Sequence, residues 1–306
     1  MADGGKSGKP KTPKKAVNGT TGQAVHQNGV ANGHTTINGN NNNNNEEEQP
    51  PLLKLEDMCL LPGEHLAVAD HANGIVIFDS EGGQAKHLNS DADTLAYSVR
   101  YDPRFNSLIA LILDTPGWRL NMYSLPDLEL RRQVPLPDAK DIPRMKLRWM
   151  AIDKNGLIYV IIANFVWRYD QKKDQWKMIH EDFRKKAWFS HLTKLPDEDN
   201  KFLVCFKGDY IQEVTLSEEG GMTVLKKSVI PQDTVGELGT YGVDQVGNIY
   251  VTDWTNGNII QLDPGYKIIG MVGTVGPQEA YQLAFSPSRV YVGCKRSLVV
   301  KVFDNE

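Results

Sequence analysis

Short runs of alternating apolar and polar residues, separated by turn residues, cover most of the chain from residue 52 onwards. In residues 241–273 the run NIYVTD alternates, WTNGN interrupts it, and IIQL and YKIIGMVG follow, separated by DPG. Alternation with a period of two predicts half-buried β-strands, and Gly, Asn, Asp and Pro between the runs predict tight turns. A doubly wound α/β fold requires helical-period segments between its strands, and only HEDFRKKAWF at 180–189 is compatible with a helical turn.

The same order of runs recurs six times along the chain, at 65–88, 95–134, 147–179, 189–229, 241–273 and 280–306. One landmark position, the residue that closes the third run, repeats about every 45 residues; it is occupied by Phe78, Tyr123, Tyr169, Leu216, Leu262 and Phe303. Copies of this length, each with four short strands, are typical of a β-propeller. The sequence therefore predicts an all-β fold, a six-bladed β-propeller of four-stranded antiparallel blades.

The last copy supplies only three runs, so the ring needs one more strand. An open ring would expose a strand edge and one face of a blade. The apolar segment PLLKL at 51–55 precedes DMCLLP, which is the opening run of the first copy. We therefore expect an N-terminal strand at 51–55 to complete the last blade and close the ring.

The first 50 residues differ in composition from the rest of the chain. They hold few large apolar side chains, are rich in Gly, Asn, Thr and Lys, and end in NGNNNNNNEEEQP. Such a segment cannot bury enough apolar surface to offset its ordering entropy. The predicted organisation is a disordered tail over 1–50 and a propeller domain over 51–306.

The charge distribution indicates which kinds of partner the protein could bind, and the cysteine content indicates in which cellular compartment it is found. The net charge is −4, but residues 131–201 carry an excess of Lys and Arg between two acidic flanks, which predicts a local basic sector. Cys59, Cys205 and Cys294 are dispersed and form neither a zinc spacing nor a disulfide framework. Because the N-terminus carries no secretory pattern and no apolar run approaches the length of a membrane span, we expect a cytoplasmic protein without a membrane partner.

The clearest copy, YGVDQVGNIYVTDWTNGNIIQLDPGYKIIGMVG at 241–273, resembles the NHL repeat. It has an apolar pair and Asp, then Gly-Asn, IYV, an Asp, a polar turn, an aliphatic pair and Asp-x-x-Gly. The copy at 147–179 matches well and the first copy fairly. The resemblance implies a recognition propeller like that of tripartite-motif ubiquitin ligases, which binds proteins or RNA stem-loops. Three dispersed cysteines cannot build a RING or B-box, so any ligase activity would come from another chain.

In a propeller, the turns between second and third strands share one face with the connections between blades, and we call this the loop face. The candidate ligand-binding residues on it are Trp118, Arg144, Lys146, Arg148, Trp149, Lys207, Tyr241, Trp254, Asn256, Asn258, Tyr281, Lys295 and Arg296. Flat rings supply contact area or stack on bases, and Arg and Lys bind phosphate or acidic side chains. An aromatic residue at a repeated position also commonly wedges adjacent blades apart. We expect turns to expose Trp118, Trp254 and the cluster at 144–148.

These features favour a non-enzymatic recognition module. A protein or peptide ligand is favoured over RNA because the domain is net acidic, and RNA binding through the basic sector 140–148 is the second possibility. The alternative is a calcium-dependent lactonase-type hydrolase with a metal in the central channel, whose candidate ligands are Asn73, Asn164, Asp253 and Asn256. The inward positions of the innermost strands are mainly Tyr, Trp and Ser, which are poor ligands for a hard cation. We therefore predict no catalytic residue, no metal and no cofactor. The recurring Asp153, Asp170, Asp244 and Asp263 are interpreted as turn caps.

Overall fold

The computed structural model describes residues 35–38, 52, 54–89, 93–114, 117–137, 147–162, 165–181, 189–196, 200–206, 210–217, 221–228 and 235–304. These residues form an all-β structure of six four-stranded antiparallel sheets arranged as a β-propeller. A single short 3-10 turn, Pro62–Glu64, interrupts the strands of the described part. No helix in the same residues is long and apolar enough to cross a membrane.

The strands follow chain order within each blade. Blade 1 contains β2 (Leu55–Leu60), β3 (Leu66–Asp70), β4 (Gly74–Phe78) and β5 (Gln84–Leu88). Blade 2 contains β6 (Leu95–Asp102), β7 (Ser107–Leu113), β8 (Trp118–Ser124) and β9 (Glu129–Pro135). Blade 3 contains β10 (Leu147–Ile152), β11 (Leu157–Ile162), β12 (Phe165–Asp170) and β13 (Gln175–Glu181).

The second half of the ring repeats this order. Blade 4 contains β14 (Phe189–Lys194), β15 (Lys201–Phe206), β16 (Tyr210–Ser217) and β17 (Gly221–Ser228). Blade 5 contains β18 (Leu238–Val243), β19 (Ile249–Asp253), β20 (Asn258–Leu262) and β21 (Ile268–Thr274). Blade 6 contains β22 (Ala280–Phe285), β23 (Arg289–Cys294), β24 (Val299–Asp304) and β1 (Thr35–Asn38). Of the possible helical turn at 180–189, residues 182–188 lie outside the described part.

The first strands of the blades surround a central channel. Each of them contacts the first strand of the next blade, and the strand of blade 6 contacts that of blade 1. Six apolar cores fill the spaces between blades, and each contains buried residues from two neighbours. All six landmark residues lie in third strands and are buried: Phe78, Tyr123, Tyr169, Leu216, Leu262 and Phe303. The predicted repeat and fold class are therefore confirmed.

An N-terminal strand does close the last blade, but its predicted location was wrong. The closing strand is β1, which pairs antiparallel with β24 in a register that places Thr36 opposite Lys301. Leu52 and Leu55 of the PLLKL segment are instead buried in the core between blades 6 and 1. A strand of four residues is too short to show a hydrophobic period. It also lies within the predicted tail; the rest of residues 1–50 is outside the described part.

The recurring aspartates stabilise turns, as the sequence predicted. The Oδ1 atom of Asp153 accepts hydrogen bonds from the amides of Asn155 and Leu157, both at 2.8 Å. Asp244 accepts equivalent bonds in blade 5, and Asp170 and Asp263 cap turns after third strands. These carboxylates are therefore occupied by the backbone of their own turns.

Candidate functional site

The first strand of every described blade contains an irregularity near its start. The register with the second strand shifts at the same place in all six blades. The residues left out of the pairing are Glu56, Tyr97, Arg148, Ser190, the pair Gly239–Thr240, and Tyr281. Such bulges redirect a side chain and are common beside functional sites. They place one unpaired residue per blade, or in blade 5 two, at the loop-face end of the channel, which we call the mouth.

Glu56 is the acidic residue at the mouth and joins blade 1 to blade 6. Its side chain is buried, with Lys54 Nζ 2.8 Å and His71 Nδ1 3.7 Å from Oε1. The hydroxyl of Tyr281 lies 3.4 Å from Oε2, and the side-chain amide of Gln282 donates to the Glu56 carbonyl at 2.7 Å. A buried carboxylate requires such partners, so Glu56 holds these groups in fixed positions.

Tyr97 extends this group towards blade 2. Its ring lies 4.8 Å from His71 in an edge-on arrangement and 4.7 Å from Trp118. Tyr97 and Trp118 are each only 3% exposed and belong to the core between blades 2 and 3. The expectation that its turn exposes Trp118 was therefore wrong, because the ring packs on Tyr97 in this core.

Lys295 extends the group in the other direction, towards blade 5. Its ammonium lies 4.4 Å from the centre of the Tyr281 ring and 5.7 Å from that of Trp254. Lys295 is exposed and Trp254 is half-buried. The backbone of Trp254 is held by two hydrogen bonds: its amide donates to the Glu237 carbonyl at 2.7 Å, and its carbonyl accepts from the Gln278 amide at 2.8 Å. We call Glu56, His71, Tyr97, Trp254, Tyr281 and Lys295 the mouth cluster.

The turn that carries Lys295 also carries Arg296, and Glu279 fixes it. The Oε2 atom of Glu279 accepts hydrogen bonds from the amides of Arg296 at 3.0 Å and Ser297 at 3.2 Å. The guanidinium of Arg296 contacts the side-chain oxygen of Gln278. Because both cations are exposed on a turn with a fixed backbone, the loop face presents an ordered pair of positive charges beside the rings.

Asn256 and Asn258 are used chiefly by their own turn. Asp253 accepts hydrogen bonds from the amide of Asn256 at 3.2 Å and from its side-chain nitrogen at 2.7 Å. Asn258 accepts a bond from the hydroxyl of Thr274 at 2.9 Å. Burial alone would raise the pKa of Asp253, but the hydrogen bonds from Asn256 and the turn amides outweigh it and lower that pKa below its ordinary value. Two of the candidate calcium ligands, Asp253 and Asn256, are thus bonded to each other.

Of the other two candidate calcium ligands, the structure describes only Asn73. Asn73 is buried in a turn where its amide donates to Asp70, and its carbonyl oxygen contacts a ring nitrogen of His87. Asn164 lies outside the described residues. Among those residues no group of three or more His, Cys, Asp and Glu side chains is arranged to hold a metal ion.

Replacement of Asp253 by Ala is expected to lower the free energy of unfolding by about 2 kcal/mol at neutral pH, because the turn loses the carboxylate that accepts its hydrogen bonds. The folded-state pKa of Asp253 is lowered, so its charge stabilises the fold fully above the unfolded value of about 4. That contribution disappears as the pH falls through the lower folded value. Urea unfolding of both proteins between pH 7 and pH 3 measures this. A difference that widens in acid would contradict the assignment.

The other predicted residues divide into two groups. Trp149 is 9% exposed, and Tyr241 is 2% exposed with its hydroxyl donating to the Leu203 carbonyl at 3.0 Å. Both pack between blades, as in the alternative interpretation of repeated aromatics. Arg144, Lys146 and Lys207 lie outside the described residues, and for Arg148 only the backbone position in a bulge is described. The basic sector at 140–148 therefore stays a prediction.

Sequence reasoning missed Glu56 and the six bulges. A glutamate inside the apolar run LLKLEDMCLL is the one signal that could have pointed to Glu56. A bulge, in contrast, shifts the alternation by one residue only, and in such short strands this shift cannot be distinguished from an ordinary irregularity of the pattern.

Comparison with known proteins supports the fold and goes no further. No family model matches the chain, and no curated protein matches it. A protein of unknown function from Bacteroides thetaiotaomicron has a TM-score of 0.65 and 10% identity, with 89% of this chain and 75% of that chain covered. A gluconolactonase from Xanthomonas campestris has a TM-score of 0.60 and 12% identity, over 82% and 86% of the two chains.

A β-propeller domain named Cps50 (Swd1), from Myceliophteria thermophila, has a TM-score of 0.59 and 12% identity, over 83% of this chain and 96% of that one. One of these three is named as an enzyme and another only as a propeller domain. At such identities the similarity shows a shared architecture. The chain is thus a six-bladed β-propeller.

Proposed function

We propose that this protein is an NHL-like, non-enzymatic recognition module that binds an acidic segment of a partner protein at the mouth cluster. The observation that carries the proposal is the position of Lys295, exposed and held against the rings of Tyr281 and Trp254. Arg296 lies beside it on the same fixed turn. Cations ordered in this way, next to flat apolar surface, suit a carboxylate flanked by apolar side chains.

The physical argument rests on preorganisation. A lysine normally loses side-chain freedom when it forms an ion pair, which cancels much of the gain. Here the two rings already restrict Lys295 through cation–π contacts. The half-buried rings can at the same time be covered by the partner, and aromatic residues dominate binding energy in such contacts. The carboxylate of Glu56 accepts a hydrogen bond from the Tyr281 hydroxyl, and this bond fixes the ring that Lys295 contacts.

A catalytic channel is the competing function, and the contacts of the candidate ligands do not favour it. Asp253 and Asn256 are bonded to each other within one turn. We therefore expect neither excess calcium nor a chelator to change the melting temperature of the protein. Scanning calorimetry in both conditions measures this. A calcium-dependent rise, which a specific site would produce by mass action, would favour the hydrolase instead.

Peptide display identifies the partner chemistry directly. We expect a random library selected on the parent protein to enrich peptides that combine Asp or Glu with apolar residues. A second selection on the variants Trp254→Ala and Lys295→Glu should no longer enrich these peptides. The first variant removes an aromatic contact surface, and the second replaces the positive charge by a negative one. Enrichment that is unchanged on both variants, or no enrichment on the parent, would contradict the proposal.

RNA recognition gives a different outcome in a parallel measurement. If a stem-loop were the ligand, binding to a pool of RNA hairpins would weaken steeply with salt, and Arg148→Ala would flatten the slope. Salt-sensitive hairpin binding without any selected peptide would replace the protein-binding proposal by an RNA-binding one.

A further inference from the structure

The end of the channel opposite the mouth contains a cavity of about 240 Å³. It is lined by the last residues of all six first strands, from β2, β6, β10, β14, β18 and β22. This volume lies just below the lower limit of about 300 Å³ for drug-sized ligand pockets, so the cavity fits a metabolite-sized molecule. None of the mouth-cluster residues lines it.

Two of the described cationic residues line the cavity, and one of them, Arg100, is paired with the buried Asp57. Arg100 and Lys194 line the cavity from blades 2 and 4, and the described lining includes no Asp or Glu. Lys194 donates to the carbonyl of Leu195 and lies 5.9 Å from the centre of the Phe202 ring. Thr193, Tyr101 and Gln282 add polar side chains to the lining. A ligand with negative charge is therefore favoured over a neutral or positive one.

Arg100 is held in place from behind by a buried carboxylate. Asp57 is 1% exposed and accepts hydrogen bonds from Arg100 Nη1, from the Ser98 hydroxyl and from the amide of Val99. The same Nη1 donates to the Val99 carbonyl at 2.6 Å. Both hydrogen bonds that Arg100 makes to described residues thus use one nitrogen. Arg100 also lines the cavity and its side chain is 21% exposed, and the planar guanidinium of an arginine suits bidentate pairing with a carboxylate.

The remaining walls are mostly apolar. Met58, Leu60, Ile152, Val243 and Phe285 line the cavity together with the polar groups. An anion without an apolar body would leave these walls uncovered, whereas a small hydrocarbon body would bury them. Apolar walls with a few convergent polar groups are the usual composition of a small-molecule site.

The lining does not supply an evident nucleophile. Burial raises the pKa of the Cys59 thiol to about 12, so this cysteine is not ionised at neutral pH, and the thiolate is the reactive form. The hydroxyl of Tyr101 donates to Asn106 at 3.1 Å. The arrangement fits binding of a ligand and not its conversion.

We propose that this cavity, with Arg100 and Lys194 in its wall, binds a small carboxylate that carries an apolar body. The site lies on the face opposite the mouth cluster and is independent of the partner binding proposed there. Its occupation would stabilise the ring, since all six blades contribute to the wall.

The test uses matched pairs of acids and amides on the full chain: benzoate and benzamide, phenylacetate and phenylacetamide, hexanoate and hexanamide. We expect at least one carboxylate at millimolar concentration to raise the melting temperature in a thermal-shift measurement, and its amide to have no effect. The proposal is overturned if no acid stabilises the protein more than its amide. Inorganic phosphate is included, and stabilisation by phosphate without any carboxylate also overturns it.

Two variants locate the binding. Arg100→Lys keeps the ion pair with Asp57 but removes the planar guanidinium. In titration calorimetry, this variant should bind the carboxylate ligand about tenfold more weakly. Lys194→Gln should also weaken it and leaves the Asp57 pair intact. Lys226→Gln, an exposed cation on β17, should leave the affinity unchanged. Binding that is unaltered in both Arg100→Lys and Lys194→Gln would place the ligand elsewhere and refute the assignment.

Discussion

A chain shortened to begin at residue 51 is expected to have a melting temperature about 10 °C lower than that of a chain that begins at residue 32. The expected loss in the free energy of unfolding is about 4 kcal/mol. The shorter chain lacks β1, so the edge of β24 loses its hydrogen-bonded partner. Val300 and Val302, which are 0% and 7% exposed and pair with Ile37 and Thr35, lie on the strand whose edge would then be open to water. Scanning calorimetry of the two proteins measures the difference.

A chain that begins at residue 25 serves as the control for length, because it retains β1 and should match the one that begins at 32. Equal melting temperatures for all three chains would show that β1 does not close the ring. The outcome also decides which segment suits binding experiments, since the predicted domain 51–306 omits the closing strand.

The second large effect is expected for Gly257→Ala in the turn of blade 5. Gly257 has a φ of +76°, and a Cβ there would lie 1.9 Å from the carbonyl oxygen of Gly276. Both the left-handed backbone and the clash with another backbone segment disfavour alanine. We expect a loss of about 3 kcal/mol or more in urea unfolding. Gly74, in the matching turn of blade 1, has the same restriction.

Gly270→Ala is the matched control for this prediction. Gly270 lies in β21, and a Cβ built there meets no atom within 4 Å. Its replacement should change the free energy of unfolding by no more than about 0.5 kcal/mol. If Gly257→Ala and Gly270→Ala were equally stable, the tight turn that positions Trp254 would not exist as described.

The blades could be predicted from the sequence because they repeat. The landmark residues, from Phe78 to Phe303, are buried in every third strand, so a fixed packing requirement recurs at a fixed interval. Strand alternation and turn aspartates such as Asp244 follow from local chemistry that each copy contains. Physical constraints that recur in every blade therefore appear directly in the sequence.

The features that occur only once in the ring could not be predicted in the same way. The closing strand lies far from its partner β24 in the chain, and its four residues carry no period. Trp254 and Trp118 each lie between the second and third strands of a blade or at the start of the third, yet the first is half-buried while the second is 3% exposed and packs on Tyr97. Only the packing of neighbouring blades separates a ring that can bind a partner from one that fills a core.

The affinity of a display-selected acidic peptide for Lys295→Gln, compared with Lys226→Gln, tests the proposed function most directly. Lys226 is a matched control because it is also an exposed lysine over a tyrosine ring, 4.3 Å from the centre of Tyr266, but it lies on an outer strand of blade 4. Titration calorimetry should show at least about tenfold weaker binding to Lys295→Gln, the value of a charge-assisted contact, and unchanged binding to Lys226→Gln. Equal affinities of the two variants would contradict recognition at the mouth.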